Sequence, residues 1–234
     1  MTPSARLDAK RTPLSEWRRS VQRERALIAL FDLGRQKTYG LRAARLYAFG
    51  VFLTYAIAIS LAKGAGQAAV IHGFVRAALV ALSWVVGALA TLGATQALAE
   101  HAEYDSLAAL AVQRGHSGAA LLRARTLAAA QRIARLVALP ALLLVVVGLM
   151  RGAALPWACA VAPAVLVYAC VLGLTLAVLA HFAAELAPTH PRALLLALVL
   201  GPLLFSQVFP AVPSFPQFFS WLLARLLDAG AALT

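Results

Sequence analysis

The residues whose types and spacing could do chemistry fall in three places. Glu103-x-Asp105-Ser106-Leu107-x-x-Leu110 sets two carboxylates beside a pair of leucines at i,i+3, and Arg114-Gly115-His116-Ser117-Gly118 follows closely. Charged groups around a small apolar ridge suit the docking of another polypeptide. The second place is Ser117 itself, which could be a nucleophile. That chemistry needs a histidine base at hydrogen-bond distance and a site that water reaches, whereas Ser117 lies in a polar segment flanked by arginines. The third is His181 with Glu185 at i,i+4 and His190 nearby; with His101 and Glu103 on the same side, it could hold zinc or iron. We read this set as a wet link at the membrane interface and assign no metal ligand. No G-x-x-x-x-G-K-[ST] loop occurs, so the chain has no phosphate loop of its own for ATP hydrolysis, and no cofactor is assigned to it.

The elements that must position these residues are hydrophobic blocks. The chain is 62% hydrophobic and only 13% charged, with a mean hydropathy of +0.81, too little charge for a soluble domain of 234 residues. Several apolar runs approach the roughly 18–20 residues that cross about 30 Å of hydrocarbon as a helix. Backbone groups in lipid must bond internally, and the Ala/Leu-rich runs lack period-2 alternation. The expected fold is therefore all-α: a polytopic membrane protein of about six transmembrane helices. Cys159 and Cys170 lie in one apolar run and read as small core or lipid-facing residues, not as a disulfide.

Residues 1–45 form a basic N-terminal region with no apolar stretch of signal-peptide type. Ser15 can cap a helix that Gly34 stops. Trp17, Val21, Ile28 and Phe31 fall near one face and Arg18, Arg19, Arg23 and Arg25 on others, the pattern of an amphipathic helix in the headgroup plane. Trp17, Arg18, Arg19 and Phe31 are its expected interface contacts. The transmembrane domain, 46–234, is expected to hold spans near 46–62, 77–99, 135–150, 155–180 and 193–208. Loop 63–76 joins the first two spans. Pro140 lies inside the third span, which starts further back as a helix from Leu121. After the Pro-rich Phe209–Trp221, a last apolar piece to Thr234 reads as a sixth helix with an Arg225–Asp228 pair. Between the second and third spans, segment 100–131 divides into a helix over Leu107–Val112, ended by Gly115, and a second one capped by Ser117.

Basic residues set the orientation. Eleven of the 21 Lys and Arg precede Leu46, and five more lie between 100 and 135. Six spans with the N-terminus inside collect these on one side, so segment 100–131 and both termini are expected in the cytoplasm of a bacterial inner membrane. The charge then meets anionic headgroups of the lipid bilayer, with no nucleic acid as partner.

Two spans, then Glu103-x-Asp105-Ser106-Leu107-x-x-Leu110, Arg114-Gly115-x-Ser117 and a basic helix resemble the permease subunits of ABC-2-type ABC transporters. The Pro- and aromatic-rich FPAVPSFPQFFSWL is similar to that family's outer turn before its last helix, and the N-terminal amphipathic helix to its elbow helix. The resemblance implies an ATP-driven permease whose coupling helix presents Glu103, Asp105, Leu107, Leu110 and Arg114 to a separate ATPase subunit. That subunit would carry ATP and Mg, and a second permease subunit would complete the path. Two alternatives accompany this expectation. Gly115-x-Ser117-Gly118 and Ala180-His181 also resemble rhomboid intramembrane serine proteases, and a non-transporting membrane scaffold is the third reading.

Overall fold

The computed structural model describes residues 22–23, 25–28, 39–64, 66–89, 91–92, 109–187, 189–198 and 214–234. All regular structure among them is helical. Helix α1 is Tyr39–Leu61. Helix α2 is Gln67–Ala81 and continues through one π-helical turn, Leu82–Val86. Helix α3 is Gly118–Met150, α4 is Leu155–Leu186 and α5 is Phe215–Ala231. Residues 22–23, 25–28, 109–113 and 191–198 are also helical.

Four helices are long and apolar enough to cross a membrane: Arg42–Leu61, Gln67–Leu89, Gly118–Met150 and Leu155–Leu186. Their outward faces carry large apolar side chains in rows. Leu46, Phe49, Leu53 and Ile57 follow helical spacing on α1, as do Leu139, Leu143, Val146 and Met150 on α3. Apolar rows of this length need lipid or protein to cover them. The chain is a membrane protein.

The boundaries differ from expectation where glycine was misread. The α1–α2 connection is not a loop over 63–76 but a tight turn at 62–66, because Gly64 (φ 99°) and Gly66 (φ 81°) both take left-handed conformations and α2 starts at once. Gly73 and His72, which looked like loop residues, lie inside α2. The second crossing is thus Gln67–Leu89, not 77–99. Helix α4 likewise runs past Ala180 to Leu186, so His181 and Glu185 are helical. Pro140 is inside α3, where the helix continues on both sides of it.

The α1–α2 turn and the α3–α4 turn lie at the same end of the bundle. Gln67 donates from Nε2 to the Arg151 carbonyl at 2.9 Å, and a methyl on Gly148 would meet Ile71 at 2.9 Å and Trp157 at 3.2 Å. The start of α1 and the start of α3 therefore share the opposite end. Leu27, buried among Ala111, Leu121, Ala124 and Ala128, adds the 25–28 segment to that end, with Ile28 packed beside it. Arg23, Arg25, Arg42, Arg45, Arg114, Arg123, Arg125, Arg132, Arg135 and Arg192 cluster there, against Lys63, Arg76, Arg151 and Arg225 in the turn half. We call these the basic end and the turn end. The 25–28 segment, part of the expected amphipathic helix, buries Leu27 against protein; the expected interface contacts Trp17, Arg18, Arg19 and Phe31 lie outside the described residues.

Helix α5 gives the main topological correction. Near its start Phe219 packs edge-on against Tyr168, ring centroids 6.1 Å apart. Near its end a methyl on Gly230 would strike Val161 and approach His72 at 3.4 Å. From Tyr168 to Val161 is a step towards the turn end, so α5 runs antiparallel to α4. A sixth span following a complete fifth one would run parallel to α4. The C-terminal residue thus lies at the opposite end of the bundle from Tyr39, and the described helices do not form the six-span arrangement with both ends on one side. The expected Arg225–Asp228 pair does not form either; the Arg225 guanidinium lies over Trp221, 6.0 Å from its ring centroid.

Helices α3 and α4 form the most extensive pairing. Small residues allow it: Ala129, Ala130 and Ala177 cluster at the contact. At Gly173 an added methyl would sit 2.6 Å from the Ala130 carbonyl oxygen and 3.0 Å from the Ala134 nitrogen. In lipid, where apolar burial gives little drive between helices, such close backbone approach supplies dispersion contacts instead. Trp157 and Tyr168 are the largest fully buried side chains in the core. Trp157 donates from Nε1 to Nδ1 of His72 at 3.1 Å, satisfying a polar tip that burial would otherwise penalise. Cys159 and Cys170 are exposed free thiols. Eleven positions apart on one helix, they are about 16 Å from each other along its axis and cannot bridge.

Candidate functional site

Two places hold the candidate function. The first is the connector at the basic end. Residues 109–113 are helical and end where Gly115 takes φ 79°, with His116 N–H bonded to the Ala111 carbonyl at 3.1 Å. Ser117 then caps α3, its side-chain oxygen accepting from Ala120 N–H at 3.3 Å. Glycine stop and serine cap are where the sequence puts them. Leu110 and Val112 are 48% and 58% exposed, beside exposed Arg114. Apolar side chains open on a short connector outside the bundle suit a protein partner. Glu103, Asp105 and Leu107, the rest of the expected partner-binding set, lie outside the described residues.

From this connector α3 runs 33 residues without a break. About 20 residues cross the hydrocarbon, so about 13 remain, roughly 20 Å of helix. That excess lies at the basic end with Arg123, Arg125 and Arg132, and α4 accompanies it to Leu186. The two helices form a stiff hairpin rooted in the membrane. Ser117 has a capping role here, and among the described residues no histidine is its hydrogen-bond partner. His181 and Glu185 approach to 3.6 Å, and no group of three metal-capable side chains forms among the described residues.

The second place is within the membrane, where α2, α4, α5 and the 191–198 segment meet. A cavity of about 150 Å³ opens there, bordered by Trp84, Thr91, Tyr168, Leu176, Leu195 and Phe219 among others. The π-turn of α2 lies beside it. One extra residue per turn widens a helix locally and re-aims its side chains, and such turns recur at functional sites. Here it carries Ser83 and Trp84. Tyr168 Oη lies 2.9 Å from Ser83 Oγ, and Ser83 donates to the Leu79 carbonyl at 2.5 Å.

Sequence reasoning missed this cavity. Its signal was present as Ser83, Thr91, Tyr168 and Ser220, hydroxyls inside apolar blocks, but attention to charged residues passes over them.

No family model, no curated protein and no solved structure matches this chain.

Proposed function

We propose that the chain is the membrane subunit of a transporter driven by a separate ATPase subunit, as ABC-2-type permease subunits are. One observation carries this reading. An exposed connector at the basic end is joined through a capped turn to a helix that reaches the far face unbroken. A push on Leu110, Val112 and Arg114 is delivered along α3 and, through the close contact at Gly173, to α4. By the positive-inside rule the basic end is the cytoplasmic one, which puts the connector where a soluble ATPase works. The reading rests on this lever and not on a helix count, since α5 runs against the six-span layout. A second permease copy or paralogue would complete the path.

The test is Leu107→Asp with Leu110→Asp in the full chain, in cells that make the partner. The ATPase should no longer co-purify while membrane insertion is unchanged. Co-purification equal to wild type rejects the docking site. A partner that stays bound without cargo-stimulated ATP turnover would make the chain a scaffold. Under the protease alternative, Ser117→Ala should remove proteolysis of a membrane substrate and leave assembly untouched.

A further inference from the structure

The hydroxyl donors around the mid-membrane cavity are all spent. A carbonyl oxygen only accepts, so the single proton of Ser83 goes to the Leu79 carbonyl. Ser83 Oγ can then only accept, and Tyr168 must donate to it. Thr91 gives its proton to the Gly87 carbonyl at 2.6 Å, and Ser220 gives its own to the Gln217 carbonyl at 2.9 Å. These four hydroxyl-bearing residues are among those that border the cavity. None of the four hydroxyls has a proton left for a ligand, while the Tyr168 oxygen, which donates to Ser83, can still accept; the Trp84 indole N–H is the one other side-chain donor in the lining. The rest of the lining is aliphatic and aromatic: Val80, Trp84, Leu172, Leu176, Leu179 and Phe219 are typical. No side chain in the lining carries a charge.

A pocket with no charged group and no free hydroxyl proton discriminates by chemistry. A carboxylate, phosphate or sulfonate brought here loses its water and gains at most the single Trp84 indole N–H in return, which does not offset the desolvation of a charge. A hydroxyl or N–H on an apolar body can donate to the Tyr168 oxygen. An apolar cavity of about 150 Å³ is known to take a benzene-sized ring, and this one is of that volume. Trp84 and Val80 border it and are also exposed on the bundle surface, so a molecule dissolved in the bilayer has a way in.

We propose that this cavity binds a neutral, membrane-dissolved molecule made of a ring or short alkyl body with one hydrogen-bond donor, of the phenol or alcohol class, and rejects anionic amphiphiles. The assignment is independent of whether an ATPase docks at the connector, and its test uses no nucleotide.

The full chain in nanodiscs is labelled with a photoreactive 4-alkylphenol and the adducts are mapped by mass spectrometry. Label is expected on peptides containing Trp84, Leu176 and Phe219. Unlabelled 4-hexylphenol should displace it at least tenfold more effectively than 4-hexylbenzoate, and about five- to tenfold more effectively than hexylbenzene, the yield of one net hydrogen bond. Tyr168→Phe should erase the phenol's advantage over hexylbenzene while leaving hexylbenzene competition unchanged. Ala88→Phe, which places a ring at the mouth, should abolish labelling. Label elsewhere on the chain overturns the proposal, and so does displacement by hexylbenzoate equal to that by hexylphenol. The competition series in wild type decides the matter even where a variant fails to fold.

Discussion

Replacing Gly173 with alanine tests the α3–α4 contact on which the lever depends. The added methyl would lie 2.6 Å from the Ala130 carbonyl oxygen, 3.0 Å from the Ala134 nitrogen and 3.1 Å from the Ala134 Cβ. Ordinary contact begins near 3.4 Å, so the closest approach is short by about 0.8 Å. Two of the three obstacles are backbone of α3, which cannot swing aside as a side chain would. The helices must part by most of an ångström, loosening the neighbouring contacts among Ala129, Ala130 and Ala177. Overpacking of this kind costs about 1–3 kcal/mol. Alanine's better helix propensity returns up to about 1 kcal/mol, so the middle of that range leaves about 1–2 kcal/mol of destabilisation. For a chain of this size that lowers Tm by about 2–8 °C. The assay is intrinsic tryptophan fluorescence on heating in detergent, with Gly50→Ala as control, since nothing lies within 4 Å of a methyl there. Gly50→Ala should match wild type or exceed it slightly. A Gly173→Ala protein as stable as wild type would refute the close approach, and with it the idea that α3 and α4 move as one body.

The direction of α5 is open to cross-linking. With Cys159 and Cys170 changed to serine, Val161→Cys plus Gly230→Cys should oxidise to a disulfide in membranes. Val161→Cys plus Gln217→Cys should not, although a sixth span parallel to α4 would favour that second pair. A reporter enzyme active only outside the cytoplasm should be active after Thr234 and silent when inserted at Gly115. Activity at Gly115 would reverse the assigned orientation.

Much of the fold was legible in residues whose meaning is local. Gly115 stops a helix and Ser117 starts the next because left-handed φ and a side-chain oxygen facing free N–H groups are decided within a few residues. Four crossings were legible because length and hydropathy alone decide whether lipid accepts a helix. The turn at 62–66 was misplaced because Gly64, Gly66 and Gly73 look alike in sequence, and only the first two take positive φ. His72 read as a loop residue because its partner Trp157 is 85 positions away.

What the sequence determined by itself, then, is that this chain lives in a membrane as helices, with its positive charge gathered at one end and a capped connector there. These follow from one-dimensional quantities: run lengths, charge positions and capping residues. Tertiary structure alone decided that α5 turns back against α4, that Gly173 sets the spacing of the central hairpin, and that the hydroxyls of Ser83 and Tyr168 meet. The physical reason is that each depends on which faces of distant helices come together, and in lipid a uniformly apolar helix carries no periodic mark of the face it will bury.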